Sequence, residues 1–141
     1  MTSFYDSSVL IPVFLDEHIH HQPSLDLFLN ANKKVAHCAA QTLAEVYATL
    51  TRMPGPQRAD INQALLILDN IRDRFEIVTL DANEYASAIA DAAAEGITGG
   101  TIYDALIARC ALKAKATTIY TWNVEHFRRC GPEIARRVRT P

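Results

Sequence analysis

A chain of 141 residues, 49% hydrophobic and 21% charged, is long enough to bury one good core and too short for two, so a single domain over residues 1–141 is expected. That mix excludes a disordered or fibrous protein. The net charge of −2 is unevenly spread: Arg128, Arg129, Arg136, Arg137 and Arg139 against Glu133 make a tail of +4 on a body of −6, which suits an acidic pocket beside a basic contact surface as well as a plain solvated tail.

In chain order, Ser3-Phe4-Tyr5 reads as a short buried strand that ends at Asp6 and passes through Ser7-Ser8 into a helix. The apolar run Val9 to Leu15 is too short to span a bilayer and follows no basic leader. Cys38, Cys110 and Cys130 are odd in number and include no Cys-x-x-Cys pair, so a reducing, cytoplasmic setting away from membranes is expected. A helix from about Ser24 to Asn30 and a strand at Val35-Ala36-His37 follow. Leu43, Val46, Tyr47 and Leu50 mark one helical face, and Ile61, Leu65, Leu68 and Ile71 another beyond the break at Pro54-Gly55-Pro56. The two make a helical hairpin that offers an interface.

Glu76 to Leu80 is a short β-branched strand, and alanine-rich Glu84 to Glu95 a helix stopped at Gly96. After the Gly99-Gly100 loop come a helix over Thr101 to Lys115, a strand at Thr117 to Thr121 and a last strand around Val138. Strands alternating with helices predict a three-layer α/β/α domain with a central, mostly parallel sheet of four to five strands. In such sheets ligands gather beyond the carboxyl ends of the strands, where Asp6 and Asn123 fall.

Each candidate site residue also has a plainer role. Asp6 and Asp104 are carboxylates suited to a hard divalent cation, but Asp6 also fits a helix N-cap, and Thr101-x-x-Asp104 a capping box. Glu45 lies opposite the apolar face of its helix, beside Gln41 and Ala48, where a solvated surface acid is common. Asn123 carries an amide for a phosphate or bound water, with the Thr121 hydroxyl nearby, and is an ordinary cap too, while Phe127 reads as core. His18, His20 and His21 lack the spacing of a zinc site and read as a surface loop, with RNA or phosphate contact as a lesser role. Asp81 invites comparison with the phosphoacceptor of a receiver domain. The acidic pair and late lysine of that design are absent, so Asp81 reads as an N-cap.

In order, strand-Asp6-Ser7-Ser8, Ala44-Glu45-Val46, Tyr103-Asp104-Ala105-Leu106-Ile107-Ala108 and Thr121-Trp122-Asn123-Val124-Glu125-His126-Phe127 resemble a PIN domain, and more narrowly the VapC-type toxins of toxin–antitoxin pairs, from Phe4 to Pro141. The resemblance implies a metal-dependent endoribonuclease with Asp6, Glu45 and Asp104 on Mg²⁺ or Mn²⁺ and Asn123 at a fourth position that is often Asp. It places Ser7, Thr121, Arg128 and Arg129 as substrate contacts. It further implies RNA (tRNA, rRNA or mRNA) as substrate, a homodimer, and an antitoxin partner seated by the Glu45 helix and the Ile61 to Ile71 helix. The alternatives are a catalytically silent PIN-like module that binds RNA or protein, which Asn123 favours, and the phosphoacceptor receiver.

Overall fold

The computed structural model describes residues 1–141. Five parallel strands form one sheet: β1 (Ser3–Tyr5), β2 (Ala36–Ala39), β3 (Glu76–Val78), β4 (Thr118–Tyr120) and β5 (Val138–Arg139), in the order β3-β2-β1-β4-β5. Register pairs Ser3 with Ala36 on one side and with Thr118 on the other. The helices are α1 (Ser7–Val13), α2 (His21–Leu29), α3 (Ala40–Arg52), α4 (Ile61–Arg74), α5 (Ala82–Ala94), α6 (Ile102–Lys113), α7 (Val124–Arg128) and α8 (Pro132–Ala135). This is the expected three-layer α/β/α arrangement.

Side chains alternate along β1, so Phe4 and Tyr5 enter opposite cores. Phe4 packs with Leu106, Ile107, Ile119, Phe127 and Ile134 beneath α5 to α8. Tyr5 packs with Val9, Leu10, Phe28, Val46, Ile71 and Phe75 beneath α1 to α4. Its ring meets Phe75 edge-on at 4.8 Å.

Capping chemistry sets the helix ends. Asp81 and Glu84 form a reciprocal capping box at the start of α5, which gives Asp81 the N-cap role read from the sequence. The end of α5 is a Schellman motif: Gly96 N–H donates to Ala93 and Ile97 N–H to Ala92, with Gly96 at φ 76°, where a Cβ is unfavourable. Two expectations shift. Helix α2 begins at His21 rather than Ser24. On α4 the buried face is Ala64 and Ile71, flanked by Ile67 and Leu68, while Ile61 and Leu65 of the expected stripe are exposed with Leu66; contact with one neighbouring layer hides a narrower stripe than the apolar spacing suggests.

The strand order decides where a site can lie. From central β1 the chain builds outward to β2 and β3, then returns to add β4 and β5 on the other side. The switch falls between β1 and β4, so the segments leaving these strands diverge and open a crevice at their carboxyl ends.

Candidate functional site

Asp6 stands in that crevice. Its N–H continues the ladder to Tyr120 O at 2.9 Å, and its extended backbone caps α1. Although 2% exposed, its carboxylate is held by hydroxyls and not by a cation: Ser8 Oγ donates to Oδ2 at 2.7 Å and Thr121 Oγ1 at 2.8 Å, with the Ser8 N–H at 3.4 Å. All three reach Oδ2, which leaves Oδ1 without a protein donor. Burial pushes the carboxyl above its ordinary range, the two hydroxyls pull it back, and the charge of Asp104 raises it again. Asp6 is thus a cap and a strained anion at once.

Glu45, one turn into α3, turns toward the same crevice. Ser7 Oγ donates to Glu45 Oε1 at 2.6 Å, and having given its proton, accepts from buried Thr42 at 2.9 Å. Position 45 therefore belongs to the inner edge of its helix, between Thr42 and Val46, and is half-buried where a solvated surface acid was the plain expectation. Burial raises its carboxyl most, the Ser7 hydroxyl lowers it, and Asp6 and Asp104 raise it further.

Asp104 lies in the first turn of α6, but Thr101 makes no side-chain cap there, so the capping-box alternative is not realised. Its Oδ2 pairs with His126 Nδ1 at 2.9 Å. Nearby Cys130 is held protonated by burial and by the Asp104 charge, its thiol pushed up to about 11. His126 is a neighbour the sequence reading missed; only its place in the Asn123 to Phe127 stretch hinted at it.

The chain leaving β4 closes the site. Thr121 is fully buried; besides donating to Asp6 it accepts from the Asn123 N–H at 2.9 Å. Asn123 occupies the N-cap position of α7 without a side-chain cap bond and is exposed. Ser7 and Thr121, expected against a substrate, are both buried and spend their hydroxyls on Glu45 and Asp6, so they stand behind the carboxylates. Ser8 joins them: the Trp122 N–H donates to its Oγ at 2.9 Å.

The arginine tail divides. Arg128 and Arg129 close α7, the helix that follows β4, with Arg128 paired to Glu125 at 2.8 Å. Arg136 and Arg137 precede β5 and line an open cavity with Lys115 and Thr117 at the amino ends of the strands. One basic surface is therefore replaced by two, because α7 and α8 carry the chain from the carboxyl end of β4 back to the amino end of the parallel strand β5.

Asp6, Glu45 and Asp104 are thus mutually repelling carboxylates, none of them paired with a lysine or arginine. Their donor chemistry, oxygen alone, fits Mg²⁺ or Mn²⁺, whose charge would offset the repulsion. No three His, Cys, Asp or Glu side chains stand in a ready metal-holding group; Asp104 is turned to His126. No helix is long and apolar enough to cross a membrane.

Known proteins match this architecture. The PIN domain family matches residues 3–131. Ribonuclease VapC40 of Mycobacterium tuberculosis is 31% identical over 112 residues, 79% of each chain. Among solved structures, Mycobacterium tuberculosis VapC20, described as a Sarcin-Ricin loop cleaving toxin, superposes with a TM-score of 0.72 at 14% identity, covering 89% of this chain and 92% of that one. VapBC2 from Rickettsia felis, bound to a promoter DNA fragment, superposes with a TM-score of 0.67 at 20% identity, covering 99% and 98%. With its fold, its ordered acids and these relatives in agreement, the chain belongs to the PIN-domain family, among its VapC-type toxins.

Proposed function

We propose that this protein is a metal-dependent endoribonuclease, the toxin of a toxin–antitoxin pair. One observation carries the reading: Asp6 and Glu45, acids far apart in sequence, are held at the sheet's switch point by the adjacent hydroxyls of Ser8 and Ser7, and neither they nor Asp104 has a lysine or arginine to neutralise it. Clustered, partly buried carboxylates raise the free energy of the folded chain, so such an arrangement calls for a cation.

Asp6, Glu45 and Asp104 would hold Mg²⁺ or Mn²⁺, and the bound ion supplies Lewis-acid stabilisation of charge on the phosphate and a water of lowered pKa. The chain's own groups do the rest. Ser8 and Thr121 fix Asp6 Oδ2 and leave Oδ1 free and Ser7 fixes Glu45, while Asp104 would turn from His126 to join them. Ser7 and Thr121 thus serve as positioning residues. Asn123 offers an uncharged amide to a phosphate oxygen, and Arg128 and Arg129 offer phosphate contacts, so RNA binding weakens as salt rises.

The substrate is tRNA, rRNA or mRNA, cut in a single-stranded or loop region. The protein works as a homodimer and is silenced by an antitoxin whose segment lies along α3 and α4, where Ile61, Leu65 and Leu66 are exposed. The test is RNA cleavage with chelator, Mg²⁺ or Mn²⁺, for the native chain and Asp104→Asn, followed by mapping of the cut ends. Cleavage that needs the metal and is lost in Asp104→Asn supports the reading; absence of metal-dependent cleavage of any RNA refutes it. A catalytically silent PIN-like module is the second reading, favoured by the engagement of Asp104 with His126 and by Asn123; it predicts RNA or protein binding that is indifferent to Mn²⁺.

A further inference from the structure

The loop joining α1 to α2 carries an arrangement that packing alone does not explain. His20 lies flat on Trp122, ring centroids 3.7 Å apart and planes within 6°. The His18 ring is 5.6 Å from His20, and the His20 N–H donates to His18 Nδ1 at 3.0 Å. Between them Ile19 is 87% exposed. Were covering Trp122 the loop's only task, the aliphatic chain would turn inward and the imidazoles outward. Instead His20 turns inward onto Trp122, and Ile19 is exposed with His18.

Trp122 is fixed relative to the carboxylates. Its backbone N–H donates to Ser8 Oγ, which itself donates to Asp6 Oδ2 at 2.7 Å, so two hydrogen bonds separate the indole's own backbone from the buried acid. At its far edge Nε1 donates to Ser24 Oγ at 3.0 Å, and Ser24 is fully buried. The indole plane therefore has little freedom. The acids preceding the rings are turned to protein partners: Glu17 accepts from Gln57 at 3.0 Å, and Asp16 lies 3.8 Å from His21.

Rigid, solvent-edge aromatic planes beside a phosphate-cutting centre are what unpaired bases stack upon, and every base has a face to offer. We propose that the His20-Trp122 stack, with the exposed His18 ring tilted by 39° beside it, is a base-stacking subsite at the rim of the carboxylate crevice, taking an unpaired nucleobase next to the phosphate that is cut. The placement of the cut rests on the nuclease reading above. The subsite restricts the substrate to single-stranded or looped RNA, because a base held in a duplex cannot reach the stack.

Trp122 is the only tryptophan, so its emission reports on the site directly. In chelator, which prevents cutting, a short unstructured oligoribonucleotide is titrated against the native chain, His20→Ala, His20→Phe and His20→Lys, beside an abasic strand of equal length. The quenching expected with the native chain requires bases and is weakened in His20→Ala. In the cleavage assay with Mn²⁺, His20→Ala raises KM by about 5- to 140-fold, the strength of one stacked base, with kcat kept. Restoration by His20→Phe but not by His20→Lys supports stacking. Restoration by the lysine alone indicates a phosphate contact and overturns the proposal, as does cleavage by His20→Ala with native KM and native quenching, which leaves the nuclease reading intact. Base-dependent quenching without cleavage under any metal supports the subsite and refutes the nuclease instead.

Discussion

Replacing Thr121 by valine keeps the shape of a fully buried side chain and removes one hydroxyl. That hydroxyl donates to Asp6 Oδ2 at 2.8 Å and accepts from the Asn123 N–H at 2.9 Å. A hydrogen bond to a charged group contributes about 1.5–3 kcal/mol, and stranding a partly buried N–H costs about 1 kcal/mol more, so Thr121→Val is expected to lose about 2–4 kcal/mol in the metal-free protein. At about 2–4 °C per kcal/mol for a domain of this size, the thermal midpoint falls by about 5–15 °C. Thr121→Ser keeps both bonds, loses one methyl group, and is expected to cost only about 1 kcal/mol. Since the Thr121 hydroxyl also draws the Asp6 carboxyl down, its loss moves the acid limb of the cleavage profile to higher pH. Urea or thermal denaturation in chelator, followed by a pH profile of RNA cleavage in Mn²⁺, reads both effects. The reasoning is refuted if valine is as stable as threonine, or if serine proves worse than valine.

Asp6→Asn keeps an oxygen for the Ser8 and Thr121 hydroxyls while removing a buried charge, so in chelator it is expected to be more stable than the native chain by about 0.5–2 kcal/mol, yet inactive; a lower melting point would contradict this. Asp6 and Glu45 have folded-state carboxyls raised chiefly by burial. At these two positions the folded chain therefore holds more protons than the unfolded one above the ordinary carboxylate range, so their contribution to stability in chelator is fully present below that range and is lost as pH rises through the raised values. Urea midpoints taken across that window should show this slope flattened in Asp6→Asn and offset by Mn²⁺. Arg128→Ala with Arg129→Ala is expected to reduce the slope of RNA affinity against log salt by about 1.4 for a single strand, whereas Arg136→Ala, at the opposite end of the sheet, leaves binding of a short strand unchanged; equal losses from both would show that the two basic patches act as one.

The alternation of short apolar strands with helices already dictated the α/β/α layering, because a parallel sheet hides both faces and needs a helix on each return. The Asp81 N-cap and the Gly96 stop are equally local and were legible as spacing, whereas the Thr101-x-x-Asp104 box that spacing also allowed does not form. The site was not. Asp6 matches a cap just as well as a ligand, and the structure gives it the cap. The partners of Glu45 and Asp104 are Ser7, thirty-eight residues earlier, and His126, twenty-two later, and no local pattern encodes such pairings. Only the strand order β3-β2-β1-β4-β5 brings the ends of β1 and β4 together, so that Thr121 reaches Asp6 and the Trp122 N–H reaches Ser8. It also sends Arg136 and Arg137 to the far end of the sheet. Spacing governs which element a residue joins; long-range packing governs what its side chain meets, and charge repulsion, burial and stacking all depend on that.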